Sequence, residues 1–313
     1  MRALVLTAGL GTRLRPLTYV RAKAAVPVNS EPLACRVIRW LGRHGISDVV
    51  LNLHHHPATI AAVVGDGADL GARVRYSWEQ PILGSAGGPR HALALLGPDT
   101  FLLVNGDTLT DVDVPRMIAA HRSSRAAVTM ALIPNPRPEQ YGGVIVKDEW
   151  VTGFTRPGAP GPSYHFIGVQ VAEPRVFAPL PDGVPEESVG RVYPRLMAEN
   201  ARSVGAFISD AAFQDIGTPR DYLDTSIALA ALEGDRLGQG TGIKVADSAE
   251  LTRTAVWDDV VIGAGARLDE CILCDGVHIP DRARYVRCAI VAAAGLTAAK
   301  DERIEGDLLI RPL

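Results

Sequence analysis

Aromatic residues are scarce in this chain, at 5% of 313 positions, and cysteine is scarcer still, at four. Charge of one sign is lacking as well: 32 Lys and Arg stand against 35 Asp and Glu, for a net charge of −3. That near balance excludes the basic footprint of a nucleic-acid binder. Any anionic ligand must therefore be held by local groups rather than by the overall field. No apolar run nears the roughly 20 residues of a membrane-spanning helix. The first apolar run, Ala3 to Ala8, is too short for a signal-peptide core and gives way at once to glycines and arginines. These absences predict a cytoplasmic protein with neither nucleic acid nor membrane as a partner.

In such a compartment Cys35, Cys271, Cys274 and Cys288 read as reduced core residues rather than disulfides. Cys271 and Cys274 form a CxxC with His278 and Cys288 nearby, which raises zinc, but a second tight ligand pair is missing. His54-His55-His56 raises a metal too. Consecutive residues converge poorly on one ion, and a loop leading into a helix at Pro57 accounts for them better.

What the chain does have is apolar surface, 47% of its residues, enough for a substantial core. Arg2 to Leu6 is a short apolar run that breaks at Thr7-Ala8-Gly9-Leu10-Gly11, the pattern of a buried strand followed by a glycine-rich turn. Strand patterns at Val49–Leu53, Val74–Ser77, Phe101–Val104 and Ala127–Ile133 alternate with helical spacing at 32–44, 57–64, 87–96 and 115–121. Such alternation predicts an α/β sheet with parallel pairing. Ligands of these sheets sit at the carboxyl ends of strands, where Thr7–Gly11 and Asn105–Asp107 both fall. From Tyr141 to Val171 short strands flank Pro/Gly-rich loops, which predicts an antiparallel insertion over the rim. Helices are predicted again at 188–199 and 221–232.

After Gly240 the text repeats. Val245-Ala-Asp-Ser-Ala249-Glu-Leu251 matches Ile262-Gly-Ala-Gly-Ala266-Arg-Leu268 and Ile279-Pro-Asp-Arg-Ala283-Arg-Tyr285, each 17 residues on, and Val256, Leu273 and Ile290 keep the same offset. A large aliphatic, a small residue four later, then another large residue suits a solenoid coil turning around a narrow core.

Three features carry chemistry. Gly9-Leu10-Gly11-Thr12-Arg13 lets backbone N–H groups approach an anion closely. It departs from the dinucleotide fingerprint and lacks the GK[ST] of a P-loop. Arg13, Arg15 and Lys23 supply three cations within eleven residues, and Pro16 and Pro27 predict an extended loop. Asp107 directly follows a buried strand, a fitting place for a carboxylate that holds Mg²⁺ against phosphates. Asp215 lies in Phe-Gln-Asp-Ile-Gly-Thr-Pro. Alone, either aspartate reads as a cap or turn residue; the pair is what points to a metal.

The segment Ala8-Gly9-Leu10-Gly11-Thr12-Arg13-Leu14-Arg15-Pro16-Leu17-Thr18, followed by Lys23, resembles the signature of the sugar-phosphate nucleotidyltransferase family. Leu83-Gly84-Ser85-Ala86-Gly87-Gly88 is similar to its second nucleotide-binding loop. Asn105-Gly106-Asp107 and Asp215-Ile216-Gly217-Thr218-Pro219 resemble its two metal-aspartate motifs. The motifs stand in family order across residues 1 to 225, and the repeat resembles that of the mannose-1-phosphate guanylyltransferase branch.

The resemblance implies an α/β fold: a Rossmann-like, mixed-sheet nucleotidyltransferase domain over residues 1–239, then a short left-handed β-helix over 240–313. It implies an enzyme that joins an NTP to a sugar 1-phosphate with Mg²⁺ and releases pyrophosphate, acting as a homo-oligomer. Ala8, Gly9, Gly11, Thr12, Gln80, Gly84 and Ser85 would bind the nucleotide. Arg13 and Lys23 would grip the phosphates, and Asp107 and Asp215 would hold the metal, with Arg13, Lys23 and Asp107 the catalytic set. Tyr141, Gly142 and Arg156 would meet the sugar phosphate.

Departures cluster on the sugar side. Ala22 stands where the family has proline, Thr155-Arg156-Pro157 where it has Glu-Lys-Pro, and Phe166-Ile167-Gly168 where an asparagine precedes the glycine. Arg156 keeps the charge for a phosphate, but two polar sugar contacts are missing or relocated. The second loop and the repeat favour GTP with a mannose- or heptose-like sugar. A UTP- or dTTP-using transferase and a non-catalytic, nucleotide-sugar-binding regulatory subunit are the alternatives. An acyltransferase built on the repeat fits less well, because three coils offer little surface and His278 is not placed as a base.

Overall fold

The structure is a computed structural model and describes residues 1–233, 237 and 239–313. It falls into two compact units, Met1–Gly9 with Val37–Gln214 and Leu10–Arg36 with Asp215–Leu313.

The first unit is built on a nine-stranded mixed sheet. Its strands are β1 (Arg2–Leu6), β2 (Asp48–Leu53), β3 (Arg73–Trp78), β4 (Phe101–Asn105), β5 (Val128–Pro134), β6 (Val144–Lys147), β7 (Trp150–Phe154), β8 (Tyr164–Ala172) and β9 (Val204–Ile208). Their spatial order is β3-β2-β1-β4-β8-β5-β9-β7-β6. The first four pair in parallel, with Leu6 opposite both Asn52 and Asn105. Ala3, Leu4 and Val5 are wholly buried, which explains an unbroken apolar run where a half-exposed strand would alternate. The helix Val114–Ser124 starts cleanly because the Asp113 carboxylate accepts the Arg116 N–H at 2.9 Å and Pro115 fits the first turn.

The segment expected as an insertion over the rim is instead part of the sheet. Strand β8 lies between β4 and β5 and runs antiparallel to both. The reason lies in its composition: Ile167 to Ala172 are buried without a break, which suits a central strand and not an edge. Its register shifts between Phe166 and Gln170. There Gly168 takes φ 78°, and a Cβ would stand 2.9 Å from Cβ of Asn105. Only glycine fits this bulge against the end of β4.

In the second unit, the segment predicted as extended folds into single helical turns at Thr12–Leu14, Leu17–Val20 and Lys23–Ala25. Proline is tolerated at the start of a helical turn, and Pro16 stands immediately before Leu17. The Gly11 carbonyl gathers the turns, accepting from Leu14 N and Thr18 Oγ1, each at 2.9 Å.

The 17-residue period becomes parallel pairing between successive repeats. Val245 pairs with Ile262 and Ile262 with Ile279; Leu251 with Leu268 and Leu268 with Tyr285; Val256 with Leu273 and Leu273 with Ile290. Three short parallel sheets result, packed around buried Val256, Ile262, Ala266, Leu268, Leu273, Ile279 and Ile290. The hairpin of Arg303–Glu305 and Leu308–Pro312 adds antiparallel strands onto Cys288–Ala292, where no repeat remains to pair. Cys271 and Cys288, one period apart, stack with their Sγ atoms 3.8 Å from each other, and Cys274 is wholly buried.

Candidate active site

In the first unit, β1 and β4 end side by side, and Gly106 N donates to the Leu6 carbonyl at 2.9 Å. Thr7–Gly9 and Gly106–Asp107 therefore leave the sheet together at its carboxyl rim, the position ligands take in open α/β sheets. A Cβ on Gly106 would stand 2.7 Å from the Leu6 oxygen. The half-buried Asp107 follows at once, where β4 ends beside the end of β1.

A buried polar chain fastens that turn to the second loop. Thr7 N donates to Asn52 Oδ1 at 2.6 Å, and the Thr7 hydroxyl donates to the Asn52 carbonyl. Asn52 Nδ2 donates to Glu79 Oε1 at 2.7 Å, and Leu83 N donates to Glu79 Oε2 at 2.8 Å. Thr7, Asn52 and Glu79 are each at least nineteen-twentieths buried. The helix Gly84–Leu96 lies so close that a Cβ on Gly88 would be 2.6 Å from Glu79 Oε1. Gly84 opens this helix at φ 75°, and the Ser85 hydroxyl is engaged with Ser188, accepting its N–H at 3.0 Å. Gln80, beside the buried Glu79, is exposed.

The predicted sugar-side residues also meet. Gly143 N donates to the Thr155 carbonyl at 3.2 Å and Thr155 N returns the bond at 2.8 Å, so Gly142 lies against the segment carrying exposed Arg156. The Tyr141 ring is 4.4 Å from that of His165, which is 4.9 Å from Phe213. Burial lowers the His165 imidazole to about 4. The ring is therefore neutral at neutral pH, and its Nδ1 is buried without a partner.

In the second unit, Gly217 separates two functional groups. A Cβ there would stand 3.0 Å from Asp215 Oδ2 and 3.1 Å from Arg13 Nη1, so a predicted metal carboxylate and a predicted phosphate grip converge on one glycine. Lys23 packs behind Gly11, its Cβ 3.3 Å from where a Gly11 Cβ would be. The loop bearing both cations is anchored by Arg21. Its Nε and Nη2 reach Asp275 Oδ2 and Oδ1 at 2.6 and 2.7 Å, and Nη2 also reaches Asp258. Its guanidinium lies 5.4 Å from the Trp257 ring centroid. Trp257 Nε1 donates to the Tyr222 hydroxyl at 2.8 Å, which donates to the Pro27 carbonyl at 2.7 Å.

Sequence reasoning missed Thr7, Asn52, Glu79, His165, Phe213 and Arg21. A signal existed for Asn52, a lone amide in the otherwise apolar run Val49–Leu53. It also existed for Asp258 and Asp275, acids at equal phase of the repeat. Nothing in the sequence marks Glu79 as the partner of Asn52, or Arg21 as the partner of the two aspartates.

The family model described as "Nucleotidyl transferase" matches residues 2–231. A mannose-1-phosphate guanylyltransferase of Mycobacterium tuberculosis is 33% identical over 88% of this chain and 80% of its own length. A D-glycero-alpha-D-manno-heptose 1-phosphate guanylyltransferase of Aneurinibacillus thermoaerophilus is 32% identical over 71% of this chain and 95% of its own. A UTP–glucose-1-phosphate uridylyltransferase of Synechocystis is 28% identical over 89% and 81%. Among solved structures, HddC from Yersinia pseudotuberculosis superposes with a TM-score of 0.65 at 21% identity, over 73% of this chain and 99% of that one, and so shares the fold. No helix among the described residues is long and apolar enough to cross a membrane.

Proposed function

This chain belongs to the nucleotidyl transferase family, and from that premise we propose that it forms an NDP-sugar and pyrophosphate from an NTP and a sugar 1-phosphate. GTP with a mannose- or heptose-like sugar is the favoured pair, because guanylyltransferases of both kinds are among its relatives above 30% identity. The observation that carries the reading is the retention of Arg13, Lys23 and Asp107, with Asp215 beside Gly217, inside the matched span 2–231. A regulatory subunit that only binds nucleotide sugar has no need of that set.

The chemistry follows from charge. A phosphate monoester is already anionic near neutral pH, so the sugar phosphate can attack the α-phosphorus in line without a general base. The obstacle is bringing two polyanions together, for like charges ~4 Å apart repel by about 4 kcal/mol even at an effective dielectric near 20. Arg13 and Lys23 supply positive charge to the triphosphate and the leaving pyrophosphate, and Arg156 to the sugar phosphate. Backbone N–H groups of Ala8, Gly9, Gly11 and Thr12, with Gln80, Gly84 and Ser85, frame the nucleotide, and Tyr141 and Gly142 border the sugar. The work is positioning and electrostatic stabilisation.

Asp107 and Asp215 suit Mg²⁺, which takes hard oxygen donors and binds through one or two carboxylates plus substrate phosphates. When bound, the ion neutralises charge on the transferring phosphoryl group. The parallel pairing at 17-residue steps supports reading residues 240–313 as a short left-handed β-helix after a catalytic domain of 1–239. We extend the proposal to a homo-oligomeric assembly.

Pyrophosphate release with Mg²⁺, crossing four NTPs against a panel of sugar 1-phosphates, tests the reading. The expected result is turnover with one preferred pair, lost by at least about a hundredfold in Asp107→Asn and Asp215→Asn. No release with any pair, beside measurable nucleotide-sugar binding, would instead establish the regulatory subunit.

A further inference from the structure

Where the family carries an asparagine and a glutamate toward the sugar, this chain has Phe166 and Thr155. A site that reads hydroxyl groups needs polar atoms, and the structure offers one on the same strand. His165 lies in β8, three residues before Gly168, whose backbone hugs Asn105. Because β8 runs antiparallel to β4 with Val169 opposite Val104, the residues before Gly168 extend past the carboxyl end of β4. His165 therefore stands on the rim that bears Asp107.

There its ring packs against both Tyr141 and Phe213, at 4.4 and 4.9 Å, and those two rings approach each other edge-on at 6.4 Å. Phe213 and Tyr141 are only half-buried. An apolar aromatic face partly open to water suits the C–H face of a pyranose, while hydroxyls need hydrogen-bonding edges. The two imidazole nitrogens differ sharply. Nδ1 is enclosed with no partner, whereas Nε2 has no partner among the described residues and stays open. A buried N–H without an acceptor costs more than a buried lone pair, so the single proton of the neutral ring belongs on Nε2. The ring is neutral because burial holds its imidazole far below the ordinary range. Nε2 is thus a fixed, uncharged donor, braced by two rings and lacking an acceptor within the protein.

We propose that His165 is a specificity-determining residue that donates Nε2–H to an oxygen of the sugar in the sugar 1-phosphate, against a wall made by Tyr141 and Phe213. The inference rests on the transferase reading above and names the residue that takes over the missing polar contacts. The nucleotide is not read by this ring, and being neutral, His165 adds nothing to the field on the phosphates. Its contribution therefore falls on sugar recognition alone.

Steady-state pyrophosphate release by His165→Phe and His165→Gln tests this with the pair the wild-type enzyme turns over. Phe keeps a ring against Tyr141 and Phe213 and removes the donor; Gln restores a donor. The expected result for Phe is a rise of about tenfold in KM for the sugar 1-phosphate, with KM for the NTP held within about twofold, and partial recovery in Gln. Equal changes in both KM values, or none in either, would overturn the proposal. A second measurement needs neither a folded variant nor turnover: the side-chain 15N resonance of His165 Nε2 in the wild-type protein, titrated with the same panel of sugar 1-phosphates. A shift with one sugar supports the assignment, and no shift with any overturns it. If the wild-type protein releases no pyrophosphate at all, the transferase reading fails by itself, and the 15N titration still decides the role of His165.

Discussion

Burial keeps the imidazole of His165 uncharged down to about 4, whereas an unfolded histidine titrates near 6.5. The folded pKa lies below the unfolded one, so unfolding takes up a proton in the interval between them. Stability is therefore complete above about pH 6.5 and declines as the pH falls toward 4. His121 is lowered too, chiefly by burial, with Glu173 opposing, and it loses stability in the same direction. The expected outcome is that Tm falls between pH 6.5 and 4 in the wild-type protein and falls less in His165→Phe, which keeps the His121 share. Calorimetric scans at half-unit steps check this; equal slopes would mean that His165 is not held neutral by the fold.

The element scale is governed by the chain Thr7–Asn52–Glu79–Leu83, which ties the end of β1 and the end of β2 to the start of the helix Gly84–Leu96. Both Glu79 oxygens are used as acceptors, one by an amide side chain and one by a backbone N–H. Glutamine has one acceptor oxygen and one NH₂ group, so in either orientation a donor faces a donor. Glu79→Gln is expected to destabilise the protein by about 1–3 kcal/mol. Because the two glycine-bearing loops lose their common tether, KM for the NTP should rise more than KM for the sugar 1-phosphate. Denaturant titration and paired KM measurements together check it; unchanged KM for the NTP would reduce the network to a packing role. Helix and strand positions hereabouts were legible in the sequence, since β1, β2 and β4 are short apolar runs ended by turn residues. The helix at Gly84 begins three residues before the predicted Gly87, because glycines that weaken helix propensity are here required by close approach, Gly84 to the Glu186 carbonyl, Gly87 to the Val184 carbonyl and Gly88 to Glu79.

For the whole molecule, the repeats do more than stack. Asp258 and Asp275 occupy the same phase of successive coils, 17 residues apart, and grip one guanidinium from the loop that carries Arg13 and Lys23. Arg21→Gln leaves two carboxylates facing each other without their cation. It is expected to lower kcat by about tenfold and to cost about 1–3 kcal/mol in stability. Arg21→Lys should recover only part, because an ammonium cannot span both acids as a planar fork does. Turnover and chemical denaturation of both variants check this; wild-type kcat in Arg21→Gln would show that the anchor does not set the loop.

By itself the sequence determined what depends on local pattern. Apolar period and glycine punctuation marked most strands and helices, the 17-residue phase marked the parallel coils, and four short motifs in order marked the family. These signals survive without tertiary knowledge because each is written within a few dozen consecutive residues. Only the tertiary structure decided that β8 is a central strand, that Glu79 completes a buried chain begun at Thr7, and that residues 10–36 pack with the C-terminal repeats. Each of these is a choice of partner across long stretches of chain, made by which buried donors and acceptors can satisfy one another at once, and no local periodicity records that choice.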